Sequence, residues 1–358
     1  MKGITVRRFL DAVVAAALAS GPLAASADTY KWRIGAGHPV QGIAHVTAVD
    51  EFFIPEVTKR LEKLGHQVEW TKAWGGSVAK LPETLEATRA GLLDIGVVNF
   101  PFHSAQLFTN NFPFYFPFQP ADHVQAVKAV RATYDEVPWL YEVFEKKYNQ
   151  KHLGVGQNGD YGIGAKFPMR TFEDMKGKKF GAAGPNLNWF RGTGIVGVQS
   201  NLNEGYNSMQ SGVYDGFVIF AGPYFGFKLH EVGKHFLNAG LGAPAAIAVT
   251  INLDTWKKLP KPVQDVLVQV GREYDIVNAQ AQQKADKEGL EKLKGVGVTV
   301  LDLPPGERTK WAQAISSLPN DMAKDANKRG EPGTQVFRAY IANLKKLGYT
   351  FPAEYKID

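Results

Sequence analysis

The stretch Glu83-Thr-Leu-Glu-Ala-Thr-Arg-Ala-Gly91-Leu-Leu-Asp94-Ile-Gly96 recurs in the same register as Glu204-Gly-Tyr-Asn-Ser-Met-Gln-Ser-Gly212-Val-Tyr-Asp215-Gly216. Each copy has a Glu ahead of a Gly and an Asp shortly after that Gly, at the same spacing. The macrodipole favours an acidic residue in the first turn of a helix, and Gly readily adopts the left-handed conformation that ends one. Each copy therefore predicts a short helix that stops at its Gly.

An apolar run follows each copy, over residues 95–98 and 217–220, and is typical of a buried strand. Two helix–Gly–strand units predict two α/β lobes of similar design. Ligands bind open α/β sheets beyond the carboxyl ends of their strands, so two facing lobes would form a clamp. Asp94 and Asp215 precede the strands, at the end away from such a cleft, which favours structural roles. The alternative is that each Gly-x-x-Asp is an ordinary helix stop.

The N-terminus has the pattern of a secretory signal peptide spanning residues 1–27. Basic residues at 2, 7 and 8 precede a short apolar stretch, and Ala25-Ser26-Ala27 fits small-residue cleavage. We therefore expect export to the periplasm with cleavage near Ala27. The apolar part is too short to span a bilayer, although an uncleaved anchor is the alternative. Arg7-Arg8-Phe9-Leu10 leaves open whether export is by the Sec or the twin-arginine route.

Composition excludes several classes of protein. The formal charge of +6 falls to +4 once the net +2 of residues 1–27 is removed. Acidic and basic residues are intermixed along the chain, with no long run of one sign. We therefore expect no nucleic-acid partner. The chain has no Cys, which rules out disulfides, thiol nucleophiles and cysteine-ligated zinc. Its length suffices for two hydrophobic cores.

Three further segments bear on the architecture. Residues 100–120 are rich in aromatic residues and proline, and we expect a loop beside the cleft rather than a helix. Gly154-Val-Gly156-Gln-Asn-Gly159 matches G-x-G-x-x-G, but the following residues do not open a helix, which disfavours a dinucleotide site. Residues 262–293 predict one long helix.

An ordered set of motifs carries a family resemblance. They are Thr171-Phe-Glu-Asp-Met-Lys-Gly-Lys-Lys179, Glu204-x-Tyr-x-x-Met-Gln-x-Gly-Val-x-Asp-Gly216 and Asn252-x-x-x-Trp-x-x-Leu-Pro260. Together they resemble the substrate-binding proteins of tripartite ATP-independent periplasmic (TRAP) transporters, the DctP-like family. The resemblance implies a two-lobed α/β periplasmic binding fold, with a long helix bracing both lobes, that delivers a solute to TRAP permease membrane subunits. We expect the first lobe at 28–157, returning at 248–285, and the second at 158–247, returning at 286–358.

The sequence departs from the family where the ligand would be held. The resemblance implies an arginine that pairs with the ligand carboxylate, and Gly181 occupies that position. Tyr161 stands where some members carry a second arginine. An arginine–carboxylate fork supplies charge-assisted, bidentate hydrogen bonds, so a dicarboxylate site cannot simply be transferred to this chain. Arg191 could supply a replacement cation; the alternative is a surface arginine.

The candidate binding residues are rings, amides and single polar groups near the ends of strands or the starts of helices. They are His38, Trp74, Asn99, Phe100, Tyr161, Gly181, Asn186, Trp189, Arg191, Phe220 and Tyr224. The rings could stack on a planar ligand, and the alternative for each is packing within its lobe. The eight His residues show no metal-binding spacing, and we expect neither a metal nor a cofactor.

These features predict a monomeric solute receptor rather than an enzyme. We expect the ligand to be a small aromatic or apolar organic acid, or a neutral polar molecule. The first alternative is a secreted α/β hydrolase or lyase, which would need a nucleophile–base pair or a metal in the cleft. The second is a scaffold or adhesin whose cleft is filled by its own side chains.

Overall fold

The computed structural model describes residues 28–358, so the predicted signal peptide at 1–27 lies outside the described residues. The described strands are β1 (Thr29–Ala36), β2 (Gln67–Ala73), β3 (Ile95–Asn99), β4 (Gln150–Gly156), β5 (Gly162–Ala165), β6 (Lys179–Ala182), β7 (Val196–Gln199), β8 (Gly216–Ile219), β9 (His235–Asn238), β10 (Ile247–Asn252) and β11 (Thr299–Asp302).

The described α-helices are α1 (Ala44–Ala48), α2 (Ile54–Lys63), α3 (Thr84–Arg89), α4 (His123–Glu136), α5 (Trp139–Tyr148), α6 (Leu202–Ser211), α7 (Ala221–Gly226), α8 (Leu229–Val232), α9 (Leu253–Lys257), α10 (Lys261–Gly295), α11 (Pro305–Ala314), α12 (Leu318–Lys328) and α13 (Gly333–Lys346). A π-helical stretch, Val49–Phe53, joins α1 to α2 just ahead of Pro55, where the sequence predicts a kink.

The strands form two mixed sheets, one in each lobe. The first has the order β2-β1-β3-β10-β4, with β10 antiparallel to both of its neighbours. The second has the order β11-β9-β5-β8-β6-β7, with β5 antiparallel to β8 and β9. The predicted two-lobed α/β fold is confirmed.

The repeated unit forms equivalent structures in the two lobes. Gly91 ends α3 with φ of 73°, and Gly212 ends α6 with φ of 79°. The strand after each Gly pairs in parallel with its neighbour, β3 with β1 and β8 with β6. The helix–Gly–strand prediction is confirmed for both copies.

The aspartates of the repeat satisfy the backbone of the neighbouring strand. Oδ2 of Asp94 accepts the backbone N–H of Arg33 at 2.8 Å, and Oδ2 of Asp215 accepts that of Lys179 at 2.9 Å. The same bond in both lobes confirms their structural role, because a strand N–H at a sheet end needs a partner.

Two extended crossovers connect the lobes side by side. Residues 157–161 lead from β4 to β5, and residues 239–246 lead from β9 to β10. The backbone N–H of Asn158 donates to Pro244 O at 3.1 Å, and that of Tyr161 donates to Gly242 O at 3.1 Å. These hydrogen bonds hold the two crossovers beside each other.

The helix α10 is the third connection. Its 35 residues span about 52 Å at 1.5 Å per residue. A Cβ on Gly271 would collide with Leu153 of β4, and a Cβ on Gly289 would collide with the start of α7 at Gly222. The helix backbone therefore lies directly against both lobes, as the predicted brace requires.

Two regions differ from the sequence prediction. The apolar periodicity of residues 121–148 predicts one long helix, but this region is broken at Pro138 into α4 and α5. The C-terminal helices α12 and α13, expected with the second lobe, pack on α4 and on the aromatic segment Thr109–Tyr115. The ring of Tyr340 lies 4.9 Å from that of Phe112. These helices bury aromatic rings that would otherwise face water.

Candidate functional site

A pocket of about 640 Å³, part of it open to solvent, lies between the lobes. Its walls combine residues that follow β1 and β3, the first crossover, the turn after β6, the start of α6 and strand β8. Polar and aromatic side chains from both lobes thus meet at one concave surface, which is the arrangement expected of a small-molecule site.

The first lobe supplies two imidazoles and an amide. His38 follows β1, His45 lies in α1, and Asn99 is the last residue of β3. The two histidine rings meet edge to face, with centroids 5.5 Å apart. All three residues are at least nine-tenths buried, and His45 Nδ1 and Asn99 Oδ1 have no hydrogen-bond partner in the protein.

The second lobe supplies another amide. Asn186 lies in the 3₁₀ turn Gly184–Phe190 after β6 and is only 1% exposed. Its amide lies near the Tyr161 hydroxyl and opposes the rise in the pKa of that group, yet neither its nitrogen nor its oxygen makes a hydrogen bond of ordinary geometry within the protein. Buried polar groups are nearly always hydrogen-bonded, so an amide with both ends unpaired against a pocket is characteristic of a binding group.

The side chain of Tyr161 lies between the two walls of the pocket, and other aromatic rings pack against it. Its ring meets Trp189 edge to face at 5.2 Å and Phe220 at 5.4 Å. Trp189 is fully buried, and its indole N–H donates to Phe114 O at 2.7 Å. Burial raises the pKa of Tyr161 far above its ordinary value, so the hydroxyl stays protonated.

All of the residues that line this pocket are uncharged at neutral pH. Burial lowers the pKa of His38 to about 4, and burial together with His38 lowers that of His45 well below its usual value. The wider groove outside the pocket does carry cations, Lys80 and Arg329. The guanidinium of Arg329 stacks on Phe108 there, 4.1 Å from the ring centroid.

The lobes touch beside the pocket. Gly184 has φ of 48°, and a Cβ there would collide with Pro101 O and approach Oγ of Ser104 at 3.2 Å. A glycine thus permits the turn that carries Asn186 to meet the first lobe.

Comparison with known proteins identifies the family. The sequence profile of DctP, the bacterial extracellular solute-binding protein family 7, matches residues 58–325, well over half of the chain. The chain belongs to this family.

Individual relatives agree with that assignment. A solute-binding protein of Albidiferax ferrireducens is 29% identical over 151 residues, covering 40% of this chain and 44% of its own. The C4-dicarboxylate-binding periplasmic protein DctP of Rhodobacter capsulatus is 27% identical over 176 residues, covering 48% and 52%. The chain thus spans about half the length of these curated relatives.

A solved structure shows the shared fold along almost its whole length. It is a marine metagenome TRAP solute-binding protein specific for aromatic acid ligands, in complex with 3-hydroxybenzoate. The TM-score is 0.77 at 19% identity, with 89% of this chain and 99% of that chain covered.

The structure brings five of the predicted binding residues of this family 7 protein into one pocket. They are His38, Asn99, Tyr161, Asn186 and Phe220.

The other six predicted residues lie elsewhere. The indole N–H of Trp74 donates to Asp50 at 3.1 Å, away from the pocket. Phe100 packs in the core against Phe144 at 5.8 Å, and the hydroxyl of Tyr224 donates to Gly233 O at 2.8 Å. Trp189 lies one layer behind the pocket, and Arg191 is exposed and lines neither the pocket nor the outer groove.

The space beside Gly181, the sixth of these residues, is filled by the protein. A Cβ there would meet the rings of Phe217 and Tyr214 at 2.6 and 2.7 Å. The hydroxyl of Tyr214 lies 3.0 Å from Ser200 Oγ, and both residues are buried. Position 181 therefore offers no room for a ligand or a longer side chain.

Sequence reasoning missed several lining residues, among them His45, Phe102, Asn158 and Asn201. Asn158 follows β4 directly, and that position after a strand was an available signal. For His45 the sequence indicates only the start of a helix, and nothing local to it indicates that α1 turns it toward His38.

Residues 28–358 contain no cluster of three His, Cys, Asp or Glu side chains suited to a metal ion. Within the same range, no helix is both long and apolar enough to cross a membrane.

Proposed function

We propose that this protein is the extracytoplasmic receptor of a TRAP transporter. It captures a small organic solute between its lobes and presents it to the permease subunits in the membrane. On this proposal it is exported with cleavage near Ala27 and acts as a periplasmic monomer without chemical turnover.

The observation that carries the proposal is a pocket whose polar groups come from both lobes. Asn99 and the two histidines face it from one lobe, and Asn186 faces it from the other. A solute that bonds to both walls favours the closed arrangement, because a ligand shifts a conformational equilibrium by its differential affinity for the two states. Crossovers at 157–161 and 239–246 supply the hinge.

Five residues are proposed to contact the solute: His38, Asn99, Tyr161, Asn186 and Phe220. The aromatic surroundings support a planar or apolar ligand. The relative specific for aromatic acid ligands supports the same size class.

A thermal-shift screen of organic acids, amides, polyols and amines tests the proposal, followed by small-angle scattering with each hit. A true solute raises the melting temperature and reduces the radius of gyration. Recovery of a chemically altered solute after long incubation would instead support the hydrolase or lyase alternative. If no compound in a broad solute library binds, the proposed receptor function is contradicted.

A further inference from the structure

We propose that the solute is uncharged and presents an adjacent hydrogen-bond donor and acceptor, as a carboxamide or lactam does, to Asn186. This inference rests on the proposed receptor function and names the chemical class that the pocket selects.

The charge distribution around the pocket disfavours a carboxylate. No cation lines the pocket among the described residues; Lys80 and Arg329 face the outer groove. Two acidic groups lie on the side of the second lobe: Glu204 in the first turn of α6, and Asp286, whose charge helps to raise the pKa of Tyr161. A buried anion without a partner is strongly disfavoured.

The start of α6 does not replace the missing cation. Its backbone N–H groups would attract an anion if they were free. Asn201 already accepts the N–H groups of Asn203 and Glu204 at 3.0 and 3.3 Å, and the carboxylate of Glu204 offsets the positive end of the helix.

The unpaired groups call for a neutral partner with both donor and acceptor. A primary amide holds a donor nitrogen beside an acceptor oxygen, and neither atom of Asn186 makes a hydrogen bond of ordinary geometry, although the Tyr161 hydroxyl lies close by. The complement is another amide edge, which pairs through two hydrogen bonds. Asn99 Oδ1, from the opposite lobe, offers one more acceptor for an N–H group.

The rings around these groups favour a planar solute. Phe102, Tyr161 and Phe220 all line the pocket. Ring faces pack well against flat, apolar molecules, so an aromatic or cyclic amide satisfies both the rings and Asn186.

Matched pairs of amide and acid provide the test. We would measure binding of benzamide against benzoate and nicotinamide against nicotinate, by calorimetry on the full mature protein at neutral pH. The amide of each pair should bind at least tenfold more tightly than the acid. Its affinity should stay constant between about pH 6 and about pH 8, because His38, with a pKa of about 4, stays neutral in that range.

A pair of variants locates the interaction. Asn186→Leu keeps the side-chain size but removes both polar atoms, and it should weaken amide binding at least tenfold. Asn207→Leu, at an exposed position of α6 outside the pocket, should leave binding unchanged. Melting temperatures check that both variants fold. The comparison of amides with acids on the wild-type protein does not depend on either variant.

Each outcome has one meaning. Acids that bind as tightly as their amides, with compaction, would overturn the inference and leave the receptor function standing. Failure of all amides to bind would also overturn the inference. If no compound in the broad solute library binds either, the proposed receptor function is contradicted as well.

Discussion

The backbone N–H of Asp160, in the first crossover, donates to Oδ2 of Asp286, in α10, over 2.7 Å. Nε2 of His123 lies 3.0 Å from the same carboxylate, and Oδ1 of Asp160 accepts the N–H of Gly242 at 2.9 Å. One buried cluster thus joins both crossovers to the long helix. Burial, and secondarily the charge of Asp286, raises the pKa of Asp160 to about 6, while the hydrogen bond from the Gly242 backbone and the charges of His123 and Arg308 oppose that shift.

We predict that Asp160→Asn stabilises the protein increasingly as pH rises. The carboxyl is protonated in both folded and unfolded chains below about pH 4. Above about pH 6 the folded state must hold it ionised at a cost of up to about 3 kcal/mol, which the amide avoids. The difference in unfolding free energy between variant and wild type, from urea melts, should therefore grow across this window.

Asp265→Asn is the matched control, because this aspartate lies on α10 in an exposed pair with Lys261. It should change the pH profile little, since exposed ion pairs contribute at most about 1 kcal/mol. A profile for Asp160→Asn parallel to wild type would contradict the shifted ionisation.

Gly184→Ala should hold the lobes apart. The substitution adds a methyl group against Pro101 of the opposite lobe and also strains a residue at φ of 48°. Gly177→Ala is the control, because its φ is 72° and nothing lies within 4 Å of the new Cβ. Both should lose about 1–2 kcal/mol from left-handed strain. Small-angle scattering should show expansion only for Gly184→Ala; equal radii would mean that this contact does not set the closed geometry.

Gly181→Arg should destabilise the second lobe rather than create an anion site. The new side chain would have to displace Phe217 and Tyr214, and overpacking typically costs about 1–3 kcal/mol. The melting temperature should fall, whereas Lys179→Arg, at an exposed position on the same strand, should leave it unchanged. Gain of succinate binding by a stable Gly181→Arg protein would show that the position opens to the pocket.

Arg191→Ala and Trp189→Ala should differ sharply. Arg191 is exposed, and its removal should change stability by less than about 0.5 kcal/mol and leave solute affinity unaltered. Trp189 is fully buried behind Tyr161, and its truncation should cost about 3–5 kcal/mol in unfolding free energy. Thermal melts and calorimetry on both variants check this prediction. Weaker solute binding by Arg191→Ala would show that Arg191 contacts the solute.

The fold was predictable because its signals are local. A Gly that ends a helix, an apolar run after it and a long periodic segment each specify one element, and the repeat at Gly91 and Gly212 indicated two similar lobes. What the sequence did not indicate was the placement of α12 and α13 against the aromatic segment, because that contact joins residues more than two hundred positions apart.

The site was predictable where a side chain lies at the end of a strand or in the turn just after it. His38, Asn99 and Asn186 fall in that class, since strand ends meet at the cleft. Trp189 and Tyr224 follow strands too, but their rings turn into the lobe, where each finds a backbone carbonyl for its polar atom. Whether a side chain beyond a strand end points into the cleft or into its lobe depends on packing that no local pattern records.

The place of β10 in the first sheet has a consequence for biogenesis. It lies between β3 and β4, and β4 pairs with β10 alone. The first sheet therefore cannot be completed until residues 247–252 have left the ribosome. The aromatic segment cannot complete its packing until Tyr340 has also been synthesised. On the export proposed above, this late completion of the first lobe is compatible with passage through a translocation channel before the lobes fold.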